Sequence, residues 1–311
     1  MAEFRIAADI EECRELWTQL MPRDLISDLW AVRECFHKHF QRTPHFIISD
    51  DAGVAPSLLP LCRIEESGYY GYFPGETWHE KTWLEQNRVI AAPNVLQALL
   101  NQCPSQNYLR YMLPLGIEMP VDEIGYLFEP PRYEYEIENY FQEFSPKSRK
   151  RLKKDLAAIE AMGVEYRYNQ LSDFEYIADL SVQRFGSDSY FYDNRFRESF
   201  RSLMHYLREN EMMRITTVLI GGTPAAVDLG SIYNDTYTLL AGGTDSRYPG
   251  VAKLINMHHM KYACERQISS VDFLCGDFSW KKLFHLTPRP LYMMSDLPHV
   301  LAECGREKDL A

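Results

Sequence analysis

Apolar residues fall into two kinds of run along this chain. Short blocks with near-continuous or alternating apolar character, separated by turn residues, predict strands. Longer blocks with apolar positions three and four apart predict helices. In the first half, HFIIS (45–49) is followed by the turn DDAG, VAPSLLPLCRI (54–64), the turn EESG and YYGYF (69–73). In the second half, MRITTVLI (213–220) meets a Gly-Gly turn, TPAAVDLGSIY (223–233), an Asn-Asp turn and TYTLLAGG (236–243). The two turns of the second series are tight hairpin signals. Two helix-like segments precede each series, at 9–20 and 24–40 and again at 172–185 and 194–210. A helix-like segment and another strand follow each, at 93–102 and 107–113 and again at 250–267 and 270–276. The order of two helices, three antiparallel strands, a helix and a strand therefore occurs twice, as a repeat of elements and not of residues.

EPPRYEYEIENYFQEF (129–144) marks a boundary near 130. It leads into SPKSRKRLKKDLAAIEAMG, where Ser145 suits an N-cap, Pro146 the first helical position and Gly163 the stop. Leu152, Leu156 and Ile159 share one face of that helix, while six of the ten residues 145–154 are Lys or Arg. Two readings stand for this basic run: a solvated face balancing nearby acids, or a cationic rim for a phosphate-bearing or anionic substrate. The length of 311 residues suits two domains, 1–130 and 131–311, with 291–309 packing back on the first.

Composition narrows the function. A formal net charge of −11 disfavours a general nucleic-acid binder. The start, MAEFRIAADIEECREL, has acids and no apolar core run, so no signal peptide is expected, and no stretch approaches a membrane span. Seven scattered cysteines, none in a CxxC pair, suggest reduced thiols and a cytoplasmic setting. The cluster CFHKH (35–39) puts His37 and His39 on different sides of a helix, so no metal site is expected. His258 and His259 are read as solvated or capping residues, and Cys275 as packed in a core rather than a nucleophile.

The stretch TDSRYPGVAKLINM (244–257) puts a Pro-Gly turn and an arginine at the mouth of a helix. Either this is a plain turn or it is a phosphate seat, since the first helical turn offers unpaired N–H donors and a positive dipole end. Asp228 interrupts the apolar run Ala225–Leu229 and faces away from Val227 and Leu229 by strand alternation. An acid at that depth is either paired or functional. Asp272 and Asp277 flank VDFLCG, with Asp277 just past the strand and Asp272 read as structural.

This order of elements resembles the GNAT acyltransferase fold in tandem. TPHFIISDDAGVAPSLLPL, the basic helix, AGGTDSRYPGVAKLINM and VDFLCGDFSWKKLF resemble the FemAB-like branch, which includes CelD/BcsL-type acetyltransferases. The resemblance covers most of residues 20–290 and is stronger in the second half. It implies an α/β (α+β) fold of tandem GNAT-like domains, each a mixed, mostly antiparallel sheet flanked by helices. Arg247, Gly250 and Ala252 stand at the offsets of the family's donor loop. By that resemblance Arg247, Tyr248, Gly250, Val251, Ala252 and Lys253 would hold acetyl-CoA or another acyl-CoA. FPGETWHEKTW (73–83) has a Pro-Gly but no immediate helix, which implies a first domain without a donor site.

The resemblance implies direct attack of an amine on a thioester, with Asp228 or Asp277 as base or acceptor anchor. Lys281 matches a family lysine near the reacting centre, with Lys282 its neighbour and competitor. The acceptor would be a small-molecule, peptide or sugar amine. Two other classes remain: an aminoacyl-tRNA-dependent transferase of the same branch, and a binding protein that keeps the double fold without catalysis.

Overall fold

The computed structural model describes residues 3–49, 56–276 and 279–300. Its contacts divide the chain into two compact units. The first comprises the described residues of Met1–Ile124, Glu198–Leu203 and Pro290–Ala311; the second comprises those of Gly125–Arg197 and Met204–Arg289.

The first unit runs β1 (Arg5–Ala7), α1 (Ile10–Leu20), α2 (Trp30–Phe40), β2 (Thr43–Ser49), β3 (Ser57–Ile64) and β4 (Tyr69–Tyr72). A small hairpin, β5 (Thr77–Trp78) and β6 (Lys81–Thr82), then α3 (Pro93–Leu100) and β7 (Tyr108–Met112) follow. Strands β1 to β4 form an antiparallel sheet in that order. The turn DDAG lies outside the described residues. Asp9 caps α1 through the amides of Glu11 and Glu12. The segment expected as one helix over 24–40 is broken. Leu29 is extended, and a 3-10 turn over Ile26–Asp28 precedes α2. Side chains hold that turn from outside: Trp17 Nε1 donates to the Asp28 carbonyl at 2.7 Å, and Arg33 Nε to the Ser27 carbonyl at 2.8 Å.

Strands β4 and β7 begin side by side and parallel, at Tyr70 and Asn107, and then part. The chain fills the gap itself. The Asn87 amide donates to the Tyr111 carbonyl, and the Leu113 amide donates to the Asn87 carbonyl, both at 2.8 Å. Tyr72 Oη donates to the Arg88 carbonyl at 2.8 Å. Glu76, fully buried, accepts from Thr82 Oγ1 at 2.6 Å and the Leu84 amide at 2.7 Å, which folds the β5–β6 hairpin over its carboxylate. Burial pushes that carboxyl above its usual range, against the pull of these hydrogen bonds.

Strand β8 (Val121–Phe128) leads into the second unit. There follow α4 (Ile137–Tyr140), α5 (Pro146–Glu160), β9 (Val164–Tyr168), α6 (Asp173–Phe185), α7 (Asn194–Glu209), β10 (Met213–Ile220), β11 (Thr223–Tyr233) and β12 (Thr236–Thr244). Helix α8 (Val251–Glu265), β13 (Ser270–Asp272), the short α9 (Ser279–Leu283) and β14 (Thr287–Ser295) complete the order. In this unit the sheet runs β8-β13-β12-β11-β10-β9, antiparallel except where β12 meets β13. As the sequence indicates, Ser145 caps α5 through the Ser148 amide, and Leu152, Leu156 and Ile159 are its buried face. The mixed α/β class with flanking helices is thus as expected from the repeat. Strand β13 is shorter than the expected 270–276, because Leu274 takes a positive φ of 53° that ends the extended run.

Arg33 ties the first unit's core together. It is fully buried, lies 5.4 Å from the Trp17 ring centroid and 5.1 Å from that of Tyr72, and bonds two carbonyls, those of Ser27 and Phe73. Arg33→Met should destabilise the unit by about 3 kcal/mol, because both carbonyls lose their donor and the buried Glu76 loses a nearby cation, while Asp28 keeps Arg88. Urea unfolding followed by tryptophan fluorescence, four of whose five sources (Trp17, Trp30, Trp78 and Trp83) lie in the first unit, measures this; an unchanged midpoint would show that the arginine contributes nothing net.

Candidate functional site

The second unit has one interrupted strand pair. Strands β12 and β13 pair only at Thr236–Ser270, Tyr237–Val271 and Thr238–Asp272. Past that point β13 leans to the other side, where the Phe273 amide donates to the Tyr126 carbonyl at 2.9 Å. Among the described residues, no backbone pairing joins Leu239–Thr244 to that flank. Leu240 is also the extra residue of a bulge, since Leu229 pairs with Ala241 and Gly230 with Leu239. A core strand therefore presents an open backbone edge that runs straight into the loop before α8.

That loop is braced by Asp245. Its amide donates to the Ala225 carbonyl at 2.9 Å, and its carboxylate accepts from the Arg247 amide at 2.9 Å and from Arg247 Nε at 2.8 Å. Tyr176 Oη donates to the same carboxylate at 3.2 Å. The Arg247 hydrogen bond, first among several, holds the Asp245 carboxyl down at about 2. Arg247 itself is 72% exposed at its side chain, so its guanidinium stands in solvent beside its own acid. Gly250 is the N-cap of α8 with φ 96°, a conformation that favours glycine, and nothing lies within 4 Å of where a Cβ would be. The space beside Gly250, at the N-terminus of α8, is thus open. Val251 is buried beneath it, and Lys253 reaches α5 to pair with Asp155 at 2.6 Å.

Asp228 lies on β11 between Thr216 of β10 and Gly242 of β12. It is 8% exposed and pairs with His259, whose Nε2 donates to Oδ2 at 2.8 Å. With that proton on Nε2, Nδ1 accepts from Tyr237 Oη at 3.0 Å. Burial raises the Tyr237 hydroxyl far above its usual value, so it remains a donor. Two glycines carve the room for this chain. A Cβ on Gly242 would lie 2.1 Å from Asp228 Oδ1, and one on Gly230 would lie 2.5 Å from the Tyr237 ring. Asp228 Oδ1 lies over Gly242, itself exposed, on a face of the sheet, while Oδ2 is tied to His259.

Lys281 is buried, and its ammonium donates to the carbonyls of Phe273, Leu274 and Cys275, each at 2.9 Å, as many acceptors as it has protons. It holds the turn that carries β13 away from β12. Cys275 is half-buried within that turn. Asp277 lies outside the described residues. Asp272 is buried and paired with Arg289 at 2.7 Å. Of the basic run on α5, Lys147, Lys150, Arg151 and Lys154 are exposed, while Lys153 pairs with Glu138 at 2.8 Å. Among the described residues, no three His, Cys, Asp or Glu side chains could hold a metal, and no helix is long and apolar enough to cross a membrane.

Asp228, Gly250 and the loop from Asp245 thus belong to one strand–loop–helix region. The reading of the His pair as solvated or capping fails at His259, which is completely buried. Its signal was available: Val251, Ile255, His259 and Ala263 recur every four residues on one helix face, with apolar residues at the other three positions.

Residues 146–282 match the family model described as acetyltransferase (GNAT) domain. Among curated proteins none matches the chain by sequence. Among solved structures, the chain is similar to FemX, with TM-score 0.58 and 9% identity over 93% of this chain and 96% of that one. It is also similar to the C-terminal domain of a protein described as a lysylphosphatidylglycerol synthetase from Agrobacterium fabrum, with TM-score 0.56 and 10% identity over 97% of each chain. A tandem GNAT protein from the clavulanic acid biosynthesis pathway gives TM-score 0.50 and 13% identity over 96% and 99%. These likenesses are of fold, and the fold is the tandem GNAT fold.

Two outcomes follow from this geometry. Gly242→Ala should push Asp228 off His259 and cost about 1–3 kcal/mol, as for a buried hydrogen bond left unmade. Adding Asp228→Ala should cost less than the sum of the two singles, a non-additivity that melting curves of the four variants measure. The second concerns His258, stacked 4.1 Å from Tyr166 and held at about 4, below its usual 6.5, by burial and then by His259, Arg214 and Lys261. The unfolded chain takes up this proton first, so the contribution is whole above about 6.5 and is lost as pH falls toward 4. His258→Gln should flatten that slope in urea midpoints measured against pH.

Proposed function

We propose, from the membership of residues 146–282 in the GNAT acetyltransferase domain family, that this chain is an N-acyltransferase. It moves an acetyl or other acyl group from acyl-CoA to an amine by direct attack. The observation that carries this reading is the open edge Leu239–Thr244 running into the N-terminus of α8. The edge offers backbone groups to the amide-bearing arm of the donor, as a neighbouring strand would. The first turn of α8, open above Gly250, suits the diphosphate. Arg247, exposed beside Asp245, adds a cation there, and the exposed lysines of α5 provide a basic approach.

The reaction needs few groups. The amine nitrogen forms a bond to the thioester carbon, the carbon–sulfur bond breaks, and the ammonium proton must leave. Backbone N–H groups of the open edge can stabilise the developing oxyanion. Asp228 is the proposed proton acceptor or ammonium anchor, with Oδ1 over the exposed Gly242 and Oδ2 fixed by His259. Lys281 is proposed to act through the turn it holds, as a positioning residue. In the first unit the corresponding gap is filled by the segment around Asn87, which supports a single donor site per chain.

Calorimetry with acetyl-CoA should give one site, and CoA release should rise with the right amine from a panel of sugar, peptide and polyamine acceptors. Two equivalent sites, or no binding of any acyl-CoA, would overturn the reading. Transfer from an aminoacyl-tRNA but not from acyl-CoA would select the alternative donor instead. Asp228→Asn keeps the acceptor oxygen for His259, so fold and donor affinity should persist while turnover falls by about 10²–10⁴. An unchanged rate per folded molecule, judged with a melting curve, would make Asp228 a structural acid.

A further inference from the structure

A hollow of about 420 Å³ opens beside the C-terminal half of α8, lined by Tyr168, Arg214, His258, Lys261, Tyr262, Glu265 and Arg266. Its volume lies within the range of small-molecule sites, about 300–1,000 Å³. It is not the donor region. His258 stands seven residues beyond Val251, so at about 1.5 Å per residue even this nearest α8 wall lies roughly 10 Å from the helix N-terminus.

The charges in the hollow do not balance. Arg214, Lys261 and Arg266 face one carboxylate, Glu265, in a protein whose overall charge is −11. Among the described residues, none of the three cations forms an ion pair. Arg214 is held by ring faces instead, 3.5 Å from the Tyr262 centroid and 4.8 Å from that of Tyr168. Its Nε is buried without a hydrogen-bond partner. Partial desolvation of a guanidinium without a counter-charge is costly, and an anion arriving from solvent would relieve it. Tyr168 is 44% exposed, so a ring edge remains open beside the cation.

We propose that this hollow is a second binding site, for a small organic phosphate monoester. The phosphate sits on Arg214 and Lys261, and the organic body lies against Tyr168. A dianionic phosphate matches the net excess of two positive charges, which a singly charged carboxylate leaves half answered. The planar guanidinium also favours bidentate bonding to phosphate oxygens.

Phenyl phosphate, inorganic phosphate and benzoate, titrated at constant ionic strength into the full chain with and without acetyl-CoA, test this. Ligand-observed ³¹P and ¹H NMR supplies the readout. Phenyl phosphate should saturate with Kd below about 1 mM, inorganic phosphate should bind more weakly, and benzoate more weakly still. Arg214→Met and Lys261→Met should each weaken phenyl phosphate at least tenfold and leave acetyl-CoA titrations unchanged. Lys261→Met removes a half-buried charge at the hollow, so it reports even if Arg214→Met folds poorly. Absence of saturation at 10 mM (about tenfold beyond the 1 mM limit), or undiminished binding by Lys261→Met, would overturn the proposal. So would phenyl phosphate competing with acetyl-CoA. Acetyl-CoA binding is scored in its own titration, so failure of the donor reading stays separate.

Discussion

Two parallel strands that part inside a sheet leave a row of backbone N–H and C=O groups to be satisfied, and each unit of this protein meets that constraint in its own way. In the first unit the chain returns to answer it, with Asn87 bonding both Tyr111 and Leu113 and the buried Glu76 folding a hairpin beside the gap. In the second unit no backbone group of the described residues pairs with the β13-facing edge of β12 from Leu239 onward. The bulge at Leu240 and the turn held by Lys281 both serve to keep that edge open. One repeated architecture thus gives one filled and one unfilled gap.

The polar chain under α8 is the costliest part of this arrangement, because each buried member must find a partner. Asp228 satisfies His259, His259 satisfies Tyr237, and the order of donors fixes the imidazole tautomer. The carboxylate is then held by one oxygen and presented by the other. Asp245 uses the same logic more openly, since its carboxylate braces the loop and leaves Arg247 in solvent. In both cases a buried acid on or just after a core strand orders its neighbours.

The strands of the two three-strand series, the hairpin turns of the second series and the helix entry at Gly250 were legible because hairpin residues and two- and four-residue periodicities are local signals, whereas β1, β8, β9 and β14 were not read from the sequence. Asp228 stood out because an acid broke an apolar run. His259 was hidden by its neighbour: the pair His258-His259 reads as polar, yet one ring goes inward and the other stacks on Tyr166. The break at Leu29 depends on Trp17 and Arg33, which reach it from other turns of the chain, and the early end of β13 depends on Lys281. The filling of the first gap by Asn87 is likewise a long-range event that no window of sequence around 73–83 contains.

Gly242 and Asp228 occupy one volume between them, since any Cβ at 242 falls 2.1 Å from the carboxylate. Neither position is free to drift alone. A lineage that keeps the acid is bound to the glycine, and one that gains a side chain at 242 must first shorten residue 228. The order of those two steps matters, because a side chain gained at 242 while the acid remains displaces the carboxylate from His259. Loss of the acid therefore acts as a ratchet: once a side chain has settled at 242, restoring Asp228 by a single change brings back the acid without its hold on His259.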